Sequence, residues 1–314
     1  MIDETHYCDC NRLSPEAPVP VAELKYKTSV LGGAANVAHN LKALAPDIRV
    51  YLCGWLGQDH QHLLNDEDIH LWPGGWLPNN LTNIKLRIVD RHKGYHLVRI
   101  DNENFIDCNS RFLPNNEIIS WMNKIQPDSI ILSDYLKGAI TKDLARAIIT
   151  KNMGKAEVFV DTRNPDISMF EGADWLTPNK HEFNKILEFT RVRQPLWKQI
   201  PEMVRKQNNL RGILLTRGSE GMDLHTTEEI DGRQKRIQLH EDSINTNIID
   251  VTGAGDTALA TFVTLRTLGC KKHDFALKLT NQLAGEVCTH PGTTVPTKTL
   301  KEYGFNGYKE KEEE

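Results

Sequence analysis

The residues best suited to chemistry lie in the segment Asp250–Asp256, which reads Asp-Val-Thr-Gly-Ala-Gly-Asp. Its small residues let the backbone turn tightly and approach a ligand closely. The apolar run that follows, Thr257–Leu268, predicts a buried helix that ends at Gly269. The glycine turn would then lie at a helix N-terminus, where free N–H groups and the helix dipole attract an anion.

Asp256 is the unusual residue of this segment. A carboxylate beside an anion site repels the anion unless it has a role, such as accepting a proton from an attacking hydroxyl group. An anion hole formed by the N–H groups of Gly253, Ala254 and Gly255, together with a carboxylate base, is what phosphoryl transfer to an alcohol requires. We therefore predict these four residues to be catalytic.

Two other interpretations fit this segment taken alone. Gly253–Ala258 matches the dinucleotide-binding pattern G-x-G-x-x-[GA], which is a weak signal by itself. That pattern belongs after the first strand of a βαβ unit with an acidic residue at a later strand end, whereas here it is late and Asp274 lies in a polar stretch. A purely structural glycine turn is the second alternative.

Composition limits the choice of function classes. The 314 residues allow one large or two small domains, and a net charge of −4 leaves no basic surface typical of nucleic-acid binding. No apolar run approaches the roughly 18 residues of a membrane span, and the N-terminal residues lack a signal-peptide pattern. The six cysteines are scattered without metal-ligand spacing, so we expect a cytoplasmic protein with reduced thiols.

Short apolar runs alternate with helical stretches such as Ala34–Leu44 and Thr141–Met153. This rhythm predicts an α/β fold with a parallel sheet and helices on both faces. The predicted strands are Ile48–Leu56, Ser129–Ser133, Glu157–Asp161, Asp174–Thr177 and Gly212–Thr216. Ligands of such sheets bind at the carboxyl ends of the strands, where this chain has Asp59, Asp134, Asp161, Asn179 and Thr216.

One region breaks this rhythm. Ile84–Asp90 and Tyr95–Asp101 alternate in character around a glycine turn and predict a β-hairpin. Together with Pro18–Lys27 the hairpin would form a small accessory sheet. The charged tail Tyr308–Glu314 is expected to be solvated.

Three further segments could bind polar ligands. The pair Gly32–Gly33 opens a helix that carries Asn36 on its first turn, where backbone and amide groups can meet a ligand, or it is simply a tight turn. Asn179 and Glu182 are three residues apart and could organise Mg²⁺ through water, or merely begin a helix. The segment Thr216–Met222 is either a nucleotide shelf or a hairpin.

Taken together and in this order, these four motifs resemble those of the ribokinase-like (PfkB) carbohydrate kinases. The resemblance implies a three-layer α/β/α sandwich with a mostly parallel sheet and a small β-sheet lid. It places the kinase domain at residues 1–303, the lid at about 10–30 and 84–103, and a charged tail at 304–314. It also implies ATP and Mg²⁺ as cofactors, with the nucleotide near Thr216, Gly218, Gly221 and Asn281.

The resemblance narrows to kinases that phosphorylate D-glycero-β-D-manno-heptose 7-phosphate at O1 in ADP-heptose biosynthesis, and it implies a stand-alone kinase. A phosphorylated sugar needs cations, and sugar hydroxyls need acceptors. The predicted sugar-site residues are Asp3, Gly32, Gly33, Asn36, Lys85, Arg87, Arg99, Asp134, Lys137, Asp161 and Arg163. A monovalent cation near Gly292–Thr293 and a homodimer through the lid are implied by the resemblance only.

The chain also departs from the family pattern. Relatives have a glycine-ended apolar strand just before the position of Asp3, and a sheet without it would expose a neighbouring edge and apolar surface. The segment His60–Asn83 is short and polar, and Arg163 stands where the subfamily often has lysine. Two alternatives to the heptose kinase are a kinase of another sugar or sugar phosphate and a non-catalytic sugar-phosphate binder.

Overall fold

The computed structural model describes residues 1–57, 68–77, 82–103, 115–190, 199–230, 232–244 and 247–307. Asp59, part of the segment His60–Asn83 and the tail Tyr308–Glu314 lie outside the described residues. Across these described ranges, no helix combines the length and the apolar character needed to cross a membrane.

A six-stranded sheet forms the centre of the fold, in the order β14-β13-β12-β11-β10-β9. The strands β9 to β12 pair in parallel, and β13 and β14 are added in antiparallel pairing. Their bounds are Ser129–Asp134 (β9), Glu157–Thr162 (β10), Trp175–Leu176 (β11), Gly212–Thr216 (β12), Met222–Ile230 (β13) and Arg233–Glu241 (β14). The predicted strand Asp174–Thr177 is therefore shorter in the structure than in the prediction.

Helices cover both faces of this sheet. The helices α2 (Asn115–Ile125), α3 (Lys142–Asn152), α4 (Lys180–Thr190) and α5 (Ile200–Gln207) pack on one face. The helices α1 (Ala34–Leu44), α6 (Ala254–Thr267) and α7 (His273–Val287) pack on the other. The predicted α/β/α sandwich is thus confirmed.

Side-chain alternation along the strands divides the core into two. Val158 and Val160 belong to the cluster with α2 to α5, whereas Phe159 between them packs with α6. This follows from the two-residue period of a strand, which sends neighbouring side chains to opposite faces. Both faces are apolar because helices cover both.

A second, four-stranded sheet forms the lid, in the order β2-β1-β7-β8. Its strands are Ile2–Asp9 (β1), Glu23–Leu31 (β2), Ile84–Asp90 (β7) and His96–Asn102 (β8). The predicted hairpin is present as β7 and β8, but two lid predictions need correction. The strand predicted at Pro18–Lys27 begins only at Glu23, after prolines that cannot donate to a ladder. The lid also includes β1, whose mostly polar sequence becomes a strand because partners pair with it on both sides.

The predicted strand Ile48–Leu56 was also wrong in its length. The structure has β3 (Val50–Leu52) and β4 (Leu56–Gly57), separated at Gly54. They pair in parallel with β5 (Ile69–Leu71) and β6 (Trp76–Leu77), each pair forming its own two-stranded sheet. A glycine inside an apolar run weakens a strand, which is the physical reason for the interruption.

Candidate active site

The glycine turn predicted to bind an anion lies at the N-terminus of α6. Gly253 is its N-cap with φ of 86°, a left-handed conformation that favours glycine. A Cβ atom there would also lie 3.4 Å from both the Asn36 amide nitrogen and Thr293. The N–H of Ala254 donates a long bond of 3.3 Å to the Val251 carbonyl, so this donor must leave that partner to meet an anion.

Asp256 lies in the first turn of α6 and faces α1 and the loop after β9. Its Oδ2 accepts a hydrogen bond of 2.7 Å from Asn36 Nδ2, and its Oδ1 accepts one of 3.0 Å from the Tyr135 hydroxyl. Burial raises the pKa of Asp256, and these two hydrogen bonds oppose part of the rise. A carboxylate that is fixed in place and has a raised pKa suits the role of general base.

Asn36 acts on this carboxylate through a small network. Asn40 donates to the Asn36 backbone oxygen at 2.8 Å, and Thr257 donates to Asn40 Oδ1 at 2.7 Å. The Asn36 side chain donates to Asp256, and its contact with the sugar stays a prediction. These hydrogen bonds hold the Asn36 amide group against the Asp256 carboxylate.

Tyr135 is a site residue that sequence reasoning missed. Its hydroxyl contacts Asp256, and its ring lies 5.2 Å below the Lys85 ammonium group and 4.5 Å from the Arg163 guanidinium group. The tyrosine therefore joins the carboxylate to two of the predicted basic residues. One signal in the sequence could have identified Tyr135: it lies between Asp134 and Lys137, which were both predicted to contact the sugar.

Strand register collects the predicted lid residues on one face. Asp3 lies directly opposite Lys85, and Arg87 lies directly opposite Arg99. Because directly opposed residues point to the same side and residues two apart do too, Asp3, Lys85, Arg87 and Arg99 share a face. Arg87 donates to Asp3 at 2.8 Å, while Arg99 is held by Asp101 and is more exposed.

The cations of this face carry an excess of positive charge. Lys85 is only 8% exposed; burial, and then the charges of Arg163, Arg99 and Arg87, lower the pKa of its ammonium group, although Asp3 opposes the shift. Mutual repulsion between buried cations is relieved when an anion binds among them. A negatively charged group bound on this face would reduce that repulsion.

Gly32 is required by the close approach of Asp3. A Cβ atom at residue 32 would lie 2.2 Å from Asp3 Oδ2, which no side chain can occupy without moving the carboxylate. Gly33, with φ of 59°, is the N-cap of α1. These two glycines bring the start of α1 against the lid. Their predicted approach to a polar ligand stays a prediction.

Two predicted sugar acceptors differ in their surroundings. Asp134 uses both oxygens internally, accepting from the Leu136 N–H and the Thr162 hydroxyl at 2.9 Å each, so it shapes the loop that carries Tyr135. Asp161 is the penultimate residue of β10, where burial first, and then the charges of Glu182 and Asp256, raise the pKa of its carboxyl group well above the usual value. A carboxyl held toward its neutral form can donate a hydrogen bond as well as accept one.

Lys137 and Arg163 complete the predicted basic set. Lys137 forms an ion pair of 2.5 Å with Glu103. Arg163 lies over the Tyr135 ring, and its charge helps to lower the pKa of the Lys85 ammonium group. The structure thus brings Lys85, Arg163 and Tyr135 together, while Lys137 is engaged with the lid.

Asn179 and Glu182 form a reciprocal capping box at the start of α4. Asn179 Oδ1 accepts from the Glu182 N–H at 2.9 Å, and Glu182 Oε2 accepts from the Asn179 N–H at 2.9 Å. The geometry of Asn179 and Glu182 is therefore that of an ordinary helix start, which was one of the two interpretations of this motif. The hard oxygen atoms also suit Mg²⁺ held through water, and Asp161 lies close enough to Glu182 to feel its charge.

Replacing Asn179 with alanine should destabilise the protein by about 0.5–2 kcal/mol, because the first turn of α4 loses its side-chain cap. The Asn179→Asp variant is the matched control, since aspartate caps equally well and should unfold like the wild type. Urea denaturation followed by circular dichroism measures both. An alanine variant as stable as the aspartate variant would contradict a stabilising cap.

The predicted nucleotide residues lie around a hairpin between β12 and β13. The Arg217 N–H donates to the Gly221 carbonyl at 2.8 Å, and Gly221 has φ of 84°. A Cβ atom at residue 221 would lie 1.9 Å from the Glu241 carbonyl oxygen, so only glycine fits. Asn281 on α7 donates to the Asp242 carbonyl at 2.8 Å. Thr216 forms an isolated parallel β-bridge with Asn179.

The loop before the glycine turn is tied to the Gly292–Thr293 turn. Asp250 accepts from the Thr252 N–H and hydroxyl on one oxygen and from the Gly292 N–H at 2.9 Å on the other. Burial alone would raise the pKa of Asp250, but these hydrogen bonds lower it. Within the described residues, the Thr293 hydroxyl is buried without a hydrogen-bond partner.

Comparison with known proteins identifies the family. Residues 1–300 match the family model described as pfkB family carbohydrate kinase. The chain is 32% identical over 306 residues to the bifunctional protein HldE of Nitrosococcus oceani, and 31% identical over 310 residues to that of Haemophilus influenzae. These alignments cover 95% and 96% of this chain, but only 60% and 61% of the relatives' own length.

Solved structures show the same fold at lower identity. The ribokinase of Thermotoga maritima gives a TM-score of 0.66 with 18% identity, covering 93% of this chain and 91% of that one. Phosphofructokinase-2 of Escherichia coli in complex with potassium gives 0.71 with 12% identity, covering 96% and 94%. The predicted ribokinase-like fold is confirmed by these neighbours. The family match along nearly the whole chain likewise confirms, at the level of the family, the prediction of an ATP-dependent sugar kinase. The chain belongs to the pfkB family of carbohydrate kinases.

Proposed function

We propose that this chain transfers the γ-phosphate of ATP to O1 of D-glycero-β-D-manno-heptose 7-phosphate, giving the 1,7-bisphosphate for ADP-heptose synthesis in the cytoplasm. The observation that carries the proposal is the cationic face of the lid beside the carboxylate base. Lys85 and Arg163 flank the Tyr135 ring, whose hydroxyl contacts Asp256. A sugar whose phosphate bound these cations would keep its reacting hydroxyl within reach of the base.

In the proposed reaction, Asp256 accepts the proton of the anomeric hydroxyl as its oxygen attacks the γ-phosphorus in line. The new bond joins O1 to phosphorus, the bond to the bridging oxygen breaks, and ADP leaves. The N–H groups of Gly253, Ala254 and Gly255 stabilise the charge of the transferred group. Asn36 and Tyr135 keep the carboxylate in place before the proton arrives.

The nucleotide is proposed to lie along the hairpin that carries Thr216, Gly218 and Gly221, with Asn281 nearby. Mg²⁺ bound through water near Asn179 and Glu182 would neutralise charge on the nucleotide phosphates. A monovalent cation is proposed beside the Gly292–Thr293 turn, where the unpartnered Thr293 hydroxyl offers a buried oxygen. The structure of the Escherichia coli phosphofructokinase-2 complex contains potassium.

Product analysis tests the proposed substrate. The chain should release ADP from ATP and Mg²⁺ when heptose 7-phosphate is added, and mass spectrometry should show a gain of one phosphate, assigned to O1 by ³¹P NMR. Fructose 6-phosphate and ribose are the comparison sugars. Turnover with one of these instead of the heptose phosphate would assign a different sugar, and folded protein inert toward all three would favour a non-catalytic binder.

We also propose that two copies of the chain form a homodimer through the lid. The contact surface would be the face of the lid sheet opposite to the one that carries Asp3. Leu86 pairs with Ile100 and Ile88 pairs with Val98 on this face, where Val98 and Ile100 are 46% and 48% exposed. Exposed apolar side chains grouped on one sheet face are typical of a contact surface. Light scattering after size exclusion should show a dimer that the double variant Val98→Lys, Ile100→Lys converts to monomer. Met153→Lys, an exposed apolar residue outside the lid, should leave the dimer intact, and a wild-type monomer at every concentration would refute the proposal.

A further inference from the structure

The Tyr135 side chain contacts two parts of the candidate site that have different chemistry. Its hydroxyl donates to Asp256 Oδ1 at 3.0 Å, so one end of the side chain touches the proposed base. Its ring centroid lies 5.2 Å from the Lys85 ammonium group and 4.5 Å from the Arg163 guanidinium group. Cations at such distances over an aromatic ring are attracted to it. The tyrosine therefore connects the base to the cations that are proposed to bind the sugar phosphate.

The Tyr135 hydroxyl acts on Asp256 as a neutral donor. Burial, and then the charge of Asp256, raise the pKa of this hydroxyl well above its usual value, so it keeps its proton at neutral pH. Burial raises the pKa of Asp256 as well, and the hydrogen bonds from Asn36 and Tyr135 oppose that rise. The hydroxyl therefore both orients the carboxylate and favours its ionised form, which is the form that can accept a proton.

The loop after β9 fixes the position of Tyr135 from the side of the sheet. The next residue, Leu136, has φ of 56°, a left-handed conformation that residues other than glycine rarely adopt. The Asp134 carboxylate holds this loop by accepting from the Leu136 N–H and from the Thr162 hydroxyl on β10. A strained backbone of this kind persists only where its surroundings fix it. The ring of Tyr135 is therefore presented to the site by a rigid loop.

The two cations over the ring lack a neutralising partner. Among the residues that the structure describes, no carboxylate lies within ion-pair distance of the Lys85 or Arg163 side chain. Burial lowers the pKa of the Lys85 ammonium group, and Arg163 is the charge that lowers it most. Repulsion between the two cations thus opposes their approach to the same ring.

A phosphate group would change this balance. It offers oxygen atoms to both Lys85 and Arg163 and offsets their mutual repulsion, so both cations could remain on the ring. The ring would then be held by the loop on one side and by the cations on the other. A ring held in this way keeps its hydroxyl on Asp256, so occupancy of the cations is transmitted to the base through one side chain.

We propose that Tyr135 is a specificity-determining positioning residue, which orients the Asp256 carboxylate fully only when a phosphate group occupies the cations beside its ring. The inference rests on the proposed transfer to a phosphorylated sugar, and it adds that the substrate phosphate contributes to turnover as well as to affinity. Binding energy from a part of the substrate remote from the reacting hydroxyl would then be used in the transition state. An unphosphorylated sugar would be a poor substrate even at saturating concentration, because the base would be less well oriented.

The first experiment separates the phosphate from the sugar. The wild type is assayed with ATP, Mg²⁺ and unphosphorylated D-glycero-D-manno-heptose, with and without phosphite, a free dianion that resembles the phosphate group. Saturating phosphite should raise kcat by about 10–100-fold, the usual effect of one hydrogen bond to a charged group. In Tyr135→Phe this gain should fall below about twofold, because the hydroxyl that transmits it is gone. Tyr303→Phe is the matched control, since it also removes a hydroxyl that donates to a carboxylate, here Glu286, and it should keep the full gain.

The pH profile gives a readout that a merely structural role would not move. The Tyr135 hydrogen bond lowers the pKa of Asp256, so Tyr135→Phe should raise that pKa. Because the base works only when ionised, the acidic limb of kcat should move to higher pH in this variant and stay in place in Tyr303→Phe. The other titratable groups that face Asp256 are unchanged in both variants; they are Asp3 on β1, Lys85 on β7 and Asp161 on β10.

A titration with inorganic phosphate tests the coupling without any sugar. In protein labelled with ¹³Cζ-tyrosine, phosphate should shift the Tyr135 resonance, assigned by its loss in Tyr135→Phe, and leave the Tyr303 resonance in place. This result does not depend on which sugar the chain phosphorylates, so a wrong sugar and a wrong role for Tyr135 are distinguishable. A Tyr135 resonance that stays unshifted throughout the titration, or a phosphite gain that survives in Tyr135→Phe, would overturn the proposal.

Discussion

Replacing Asp256 with asparagine should lower kcat by about 10²–10⁴, because the anomeric hydroxyl loses its proton acceptor. Asparagine keeps the shape of the side chain and can still accept the hydrogen bond from Tyr135. The binding of ATP and sugar should therefore change little, and the loss should appear in kcat rather than in KM. Steady-state ADP release at saturating substrate measures the effect.

The matched control is Asp274→Asn, which removes an exposed carboxylate from the first turn of α7. Both residues lie in the first turn of a helix, so any general effect on the helix dipole is shared by the two variants. The control should retain wild-type kcat. An Asp256→Asn enzyme with near-native turnover would show that the Asp256 carboxylate is not the general base.

Replacing Lys85 with methionine should raise KM for the phosphorylated sugar by about 10–100-fold, since a hydrogen bond to a charged group contributes roughly 1.5–3 kcal/mol. The side chain is buried among like charges, so its removal relieves repulsion in the free protein. We therefore expect the thermal midpoint to hold or to rise while the affinity for the sugar phosphate falls. Initial rates across sugar concentrations, with thermal unfolding in parallel, measure the two effects.

Lys93→Met is the control for this prediction, because Lys93 lies exposed on the turn between β7 and β8. Its replacement should leave KM unchanged. A Lys85→Met enzyme with wild-type KM for the phosphorylated sugar would show that the cationic face of the lid does not recognise the substrate. Loss of kcat alone would point to a role for Lys85 near the transferred phosphate.

Much of the candidate site was readable from local sequence. The helix that carries Asp256 in its first turn follows from apolar periodicity, and the left-handed glycine before it is the residue type that best tolerates positive φ. Helix α1 has its predicted bounds, and α3 lies within its predicted stretch with Thr141 as N-cap. These features depend on neighbours within a few residues, so a sequence pattern can specify them.

Lid and edge features depended on distant partners. β1 is a polar segment that becomes a central lid strand only through pairing with β2 and β7. The predicted strand from Ile48 was interrupted at Gly54, which a count of apolar residues does not reveal. Pairing across tens of residues decides the first outcome, and no local propensity encodes it. The second follows from the glycine, which weakens a strand inside an apolar run.

By itself, the sequence determined the α/β fold class, the glycine turn with its carboxylate, and the set of candidate residues. Only the tertiary structure decided how those residues act on one another. It turned Asn36 toward Asp256, engaged the two oxygens of Asp134 with the Leu136 N–H and the Thr162 hydroxyl on the neighbouring strand, and placed Tyr135 between base and cations. The physical reason is that side-chain roles depend on hydrogen bonds and charges between segments far apart in the chain, which form only when the sheet and its lid are assembled.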